Sequence, residues 1–135
     1  MDDPPSGSRL VNPENAAALD KEAQDAWGLS PFALVEAAGR SCAAALKKIL
    51  LAHSIYSDYL AGPILVCAGS GNNGADALVM LYELLRSKQA AGTNKNFNAV
   101  ALLSRFPSSG ENTPRSAAVK ALGDIGVPVI TWNGK

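Results

Sequence analysis

A chain of 135 residues, 47% hydrophobic and 18% charged, carries enough apolar side chain for one packed domain and too much for wholesale disorder. Twelve basic residues balance twelve acidic ones, and no basic block marks a nucleic-acid groove or an anionic membrane surface. No apolar run approaches the roughly 18 residues of a membrane span, so neither nucleic acid nor membrane is expected as a partner.

The chain opens MDDPPSGSRL. Acidic and polar, this stretch is neither a secretory signal nor an Arg-rich transit peptide. Residues 1–10 are read as a flexible tail, and the protein as cytoplasmic. Asn12-Pro13 is a helix start, a side-chain cap followed by proline at the first helical position. Ala16, Leu19, Ala23 and Trp27 then recur at three- and four-residue steps and form one apolar face. Gly28 can stop the helix in the left-handed conformation. Ser30-Pro31 repeats the start signal, and a second helix runs to about Leu51. It is rich in small residues: Ala37, Ala38, Gly39, Ala43, Ala44 and Ala45. Gly39 in mid-helix costs about 1 kcal/mol relative to alanine, and close packing against a neighbour is its expected compensation.

From Pro63 the pattern changes. The apolar run ILVC shows no alternation, as expected of a strand covered on both faces. A helix is expected from about Gly74 to Lys88, with Leu78, Leu81 and Leu85 on one face and Val79 and Tyr82 widening it. Gly92 to Asn96 reads as a turn, residues 99–103 (AVALL) as a second buried strand, and Pro107 to Asn112 as a polar loop. Thr113-Pro114 starts a further helix with Ala118 and Leu122 on one face, ended near Gly126. Val127 to Trp132 is a third strand, with Pro128 near its beginning, where a missing N–H is tolerable.

Two helices followed by β-α-β-α-β predict an α/β fold: a Rossmann-like three-layer α/β/α arrangement with a mostly parallel sheet, preceded by an N-terminal helix pair. Three strands make a thin sheet, and residues 11–135 read as the front part of a larger domain. Cys42 and Cys67 lack CxxC spacing and are expected as buried free thiols. His53 is the single histidine. With no Cys, Asp or Glu at ligand spacing it supports neither a zinc site nor a Ser-His-Asp triad.

The chemistry concentrates in residues 66–79, VCAGSGNNGADALV. GSGNNG matches G-x-G-x-x-G between a strand and a helix, a place where glycines admit a ligand to the backbone and the helix N-terminus favours an anion such as phosphate. A tight turn that binds nothing would also account for it. Two details depart from a dinucleotide-binding fingerprint. The second strand ends Leu103-Ser104-Arg105, without the acid that holds ribose hydroxyls. Arg105 either meets a 2′-phosphate or is a solvated loop residue. Asn72 and Asn73 each offer an acceptor and a donor. Asp76 either stabilises the helix start or joins the amides in facing a hard cation.

AGSGNNGADALVM resembles the hallmark loop of the NAD(P)H-hydrate epimerases, the YjeF N-terminal domain family, whose usual form is GxGNNGGDGLV. LVNPENAAALDKEAQDAWGLSPFALVEAAGRSCAAAL is similar to the family's amino-terminal helix pair, with Asp20, Glu36, Ala38, Gly39 and Arg40 at the expected places. ALGDIGVPV resembles the segment leading into its third strand. Nearly the whole chain, about residues 10 to 132, shares the likeness.

The resemblance implies repair of hydrated nicotinamide cofactors, by interconversion of the R and S forms of NAD(P)HX at C6 of the ring. It places Asn72, Asn73, Gly74, Ala75 and Asp76 around NAD(P)HX and makes Asn73 a ligand of a potassium ion. Ala75 and Ala77 stand where the family has glycines, and a methyl at either place can obstruct backbone approach. The family's second glycine-rich loop, with its remaining potassium ligands and proton-transfer group, has no counterpart in residues 1–135. No catalytic residue is therefore assigned, and an epimerase domain that is incomplete and inactive alone is expected. A non-catalytic scaffold module, as in the similar enhancer-of-decapping proteins, and an ordinary nucleotide-binding Rossmann domain are the alternatives. The small-residue helix pair suits packing within the domain or across a homodimer, as in family members that dimerise.

Overall fold

The computed structural model describes residues 11–52, 63–90 and 98–132. The tail at 1–10, His53 and the turn at 92–96 lie outside the described residues. The chain divides into two compact units, Met1–Leu34 and Val35–Lys135.

In the first unit, helix α1 spans Pro13–Trp27. Asn12 caps it: the Asn15 amide donates to Asn12 Oδ1 at 2.8 Å, which satisfies one of the donors left over at a helix start. Gly28 ends it at φ 66°, in the left-handed region, with its amide donating to the Ala23 carbonyl. The apolar face is less covered than its periodicity suggests. Ala23 is buried, but Leu19 is 56% and Trp27 73% exposed. Ser30 supplies the cap of α2, Pro31–Ala52, through its Oγ and the Ala33 amide.

In the second unit, β1 (Ile64–Ala68), α3 (Asn72–Ala90), β2 (Ala99–Leu103), α4 (Pro114–Asp124) and β3 (Val129–Thr131) alternate. The sheet order is β1-β2-β3, parallel throughout. Val66 pairs with Ala101, and Ala101 with Val129. Two right-handed crossovers that step the same way across a sheet place their helices on the same face. Accordingly Val66, Ala68, Ala99, Ala101 and Leu103 share one buried cluster with Leu78, Leu81 and Leu85 of α3 and Ala118 and Leu122 of α4. The leucine face expected on α3 is thus the core, and Leu84 is buried as well, outside that cluster. Packing on α3 also explains Gly39: a Cβ there would lie 2.5 Å from Val79 Cγ1 and 3.1 Å from the Asp76 carbonyl.

The α/β class, the parallel sheet and the preceding helices agree with expectation. Strand β1, however, is not covered on both faces: its residues alternate in burial, with Val66 and Ala68 inside and Leu65 and Cys67 outside. Leu65 is 62%, Ile130 50% and Trp132 69% exposed, all on the face opposite α3 and α4. Cys67, expected as a buried free thiol, is exposed, because it points to the sheet face that α3 and α4 leave uncovered. Cys42 is exposed as well, and both thiols are free.

Candidate functional site

The carboxyl end of β1 runs into Gly69-Ser70-Gly71, and α3 begins at once with Asn72. The Gly71 carbonyl accepts from the Gly74 amide at 3.1 Å and the Ala75 amide at 3.2 Å, which winds the first turn tightly. Gly74 must be glycine for a steric reason. A Cβ there would lie 2.2 Å from the Gly69 carbonyl oxygen and 2.8 Å from its carbon, so the turn folds back onto the helix start.

This geometry opens a cleft of about 470 Å³ lined by Cys67, Gly69, Gly71, Asn72, Asn73 and Gly74. Both asparagine residues are exposed there. The first amides of a helix have no partner further back in it, and with the positive dipole end they make an anion-binding concavity. A second, more apolar hollow of about 240 Å³ adjoins it. It shares Cys67 and Gly69, and is completed by Ala68, Leu102, Leu103, Ser104 and Trp132.

The five residues singled out in the sequence separate into two groups. Asn72, Asn73 and Gly74 line the cleft. Ala75 is 2% exposed, and Asp76 is half-buried one turn in, neither of them lining it. Because α3 starts at Asn72 rather than near Gly74, Asp76 falls beyond the first turn, and that turn contains no acid. Ala77 packs against the core cluster. The methyls of Ala75 and Ala77 are thus taken up by the protein interior and leave the cleft open. Among the described residues no group of three or more His, Cys, Asp and Glu side chains is placed to hold a metal ion. The side-chain oxygens offered to a cation at the cleft are those of the two asparagine amides.

The end of β2 is built differently. Ser104 ties it to β1 through its amide and the Ala68 carbonyl, 3.1 Å. Beyond it, Glu111 accepts from the Ser108 amide and the Thr113 hydroxyl, both at 2.9 Å. These two hydrogen bonds, the Ser108 one first, hold the Glu111 carboxyl below the usual carboxylate range. Thr113 and Ser116 form a reciprocal capping box at the start of α4. Arg105 is exposed. Arg115, which no sequence pattern marked, is 3% exposed. Its Nε donates to the Gly69 carbonyl at 2.9 Å and its Nη2 to the Arg105 carbonyl. The available signal was a cation in the first turn of a helix, where the dipole disfavours it.

Comparison with known proteins adds the following. The profile of the YjeF-related protein N-terminus family matches residues 31–124. The chain is 38% identical over 78 residues to a protein of Methanospirillum hungatei named bifunctional NAD(P)H-hydrate repair enzyme Nnr, an alignment covering 58% of this chain and 14% of that one. It is 35% identical over 76 residues to an Anopheles gambiae NAD(P)H-hydrate epimerase, covering 56% of this chain and 31% of that one. The crystal structure of yeast ynu0, YNL200c, superposes with a TM-score of 0.70 at 27% identity, over 93% of this chain and 48% of that one. The chain therefore spans less than half the length of the relatives it matches. With the family profile covering both strands and helices that build the cleft, the chain belongs to the YjeF-related protein N-terminus family.

Proposed function

We propose that this chain is the front part of an NAD(P)H-hydrate epimerase domain, which holds hydrated NAD(P)H at the start of α3. The observation that carries the reading is the Asn72-Asn73-Gly74 helix start opening on a cleft at the carboxyl end of a parallel strand. In this reading the first-turn amides and the two asparagine side chains meet the phosphate-bearing ligand, Ala75 contributes its backbone, and Asp76 stands behind them. The Asn73 amide oxygen has the hard-donor chemistry that a potassium ion takes, but a hard cation needs several oxygen ligands. The remaining ones would come from outside the described residues.

Interconversion of the R and S epimers breaks one bond at C6 and remakes it on the opposite face, with no net gain or loss of atoms. The described residues lining the cleft include no carboxylate, histidine or lysine to move a proton. Incompleteness has two further supports. The sheet leaves Leu65, Ile130 and Trp132 exposed on one face. Among the described residues the order β1-β2-β3 contains no reversal, whereas open α/β sheets bind ligands where strand order reverses. The reading includes a homodimer, in which Leu19 and Trp27 are residues a second copy would cover.

The test is consumption of an R/S mixture of NADHX by a dehydratase specific for one epimer. A complete epimerase of the family drives both epimers through. This chain alone is expected to do so about 100-fold more slowly or worse, as for an enzyme lacking its acid–base group. An equal rate would overturn incompleteness. Failure of the folded chain to bind NADP⁺ at all would overturn the dinucleotide reading in favour of a scaffold module.

A further inference from the structure

Arg115 is the buried charged residue of the described chain, 3% exposed at the second position of α4. Two features make its placement unusual. A cation in the first turn opposes the helix dipole, so stability of α4 does not account for it. A buried charge is ordinarily paired with an opposite charge, yet this guanidinium hydrogen-bonds to two backbone carbonyls: Gly69 through Nε at 2.9 Å and Arg105 through Nη2. Its third nitrogen, Nη1, is buried with no hydrogen-bond partner among the described residues. The nearby carboxylate, Glu111, spends both oxygens on Ser108 and Thr113. Burial lowers the Arg115 pKa, Arg105 adds to that effect, and Glu111 opposes it. The side chain remains a cation, since a guanidinium titrates far above neutrality.

We infer that Arg115 is a positioning residue of the cleft, one whose buried guanidinium clamps Gly69 under the α3 start and whose counter-charge is a phosphate or pyrophosphate of the bound ligand. This deepens the dinucleotide reading and rests on it. Gly69 lines the cleft, and its carbonyl is held between the guanidinium and the Gly74 backbone that a Cβ would strike. The fork also takes the Arg105 carbonyl at the end of β2, so one side chain joins the two strand-to-helix junctions. Held away from water without a carboxylate, its charge is weakly screened and adds to the potential of the helix amides. An anion in the cleft offsets that charge. A neutral ligand does not.

The test is binding of NADP⁺ and of inorganic pyrophosphate to the 135-residue chain and to R115M, R115Q and R115K, with adenosine as a neutral control. Folding of each is checked by its thermal transition, and exchange of the Gly71–Gly74 amides is followed by mass spectrometry. The neutral variants that fold are expected to bind both anions about tenfold more weakly or worse, with adenosine unchanged and faster exchange at the turn. R115K keeps the charge and loses the fork, so it is expected to retain most of the anion affinity while exchange still rises. A role confined to holding the fold would weaken R115K and R115M alike. That outcome, or unchanged pyrophosphate binding in a folded neutral variant, overturns the inference. Absence of binding by the unmodified chain would overturn the dinucleotide reading and, with it, the proposed counter-charge.

Discussion

The turn after β1 and the loop after β2 both join a parallel strand to a helix packed on the same sheet face, but they spend their polar groups in opposite ways. After β2, Glu111, Thr113 and Ser116 satisfy one another and the start of α4. After β1, backbone hydrogen bonds to Gly71 wind the turn, and Asn72 and Asn73 stay exposed over a cleft. A loop that consumes its own donors and acceptors is built for stability. One that leaves the two carboxamides exposed at the helix start keeps polar groups available to a ligand. Arg115 follows the loop after β2 in sequence and holds the turn after β1 by contact.

The largest expected effect comes from G74A. A Cβ placed 2.2 Å from the Gly69 carbonyl has backbone on the other side, which cannot rotate away. The change should cost about 2–4 kcal/mol, read by urea unfolding, and abolish ligand binding. A variant with unaltered stability would mean that the turn is not folded back as described.

The contrasting substitution lies in the second loop. T113A removes one half of the capping box and the hydroxyl donor to Glu111. It should cost about 1 kcal/mol in unfolding free energy, with ligand affinity unchanged. Equal losses of affinity in T113A and in a cleft variant would erase the division of labour between the loops.

Much of this architecture is legible in the sequence. Asn12-Pro13, Ser30 and Thr113-Pro114 announce helix starts because side-chain caps act over three residues, and each is observed in its contact. Gly28 and the leucine face of α3 follow from equally local rules. The start of α3 is less legible. Asn-Asn-Gly is turn chemistry, so the sequence places the helix start near Gly74, whereas it begins at Asn72 and thereby moves Asp76 beyond the first turn. Exposure of Cys67 is not legible, since it depends on which sheet face the helices cover. Arg115 is the clearest case. Its role arises from a hydrogen bond to a residue 46 positions away, and no periodicity or motif encodes that pairing.

The smallest effect concerns Glu111 and acid. Its carboxyl titrates below its ordinary value in the folded state, so the folded chain binds fewer protons there than the unfolded one. Stability from this group is complete above the unfolded carboxylate pKa and is lost as pH falls through the lowered folded value. E111Q should flatten the decline of the thermal midpoint on acidification below the ordinary carboxylate range. An identical acid limb in E111Q would show that other carboxylates set it.

The central claim is that the exposed carboxamides at the start of α3 receive a phosphorylated dinucleotide together with a cation. Calorimetric titration with NADP⁺, in potassium and then in sodium buffer, of the chain and of N73A tests it directly. Asn73 is exposed, so N73A should change stability by less than about 0.5 kcal/mol. The account predicts binding that is stronger in potassium and lost in N73A. Binding that is indifferent to both the cation and Asn73, or no heat at all from the folded chain, would contradict it.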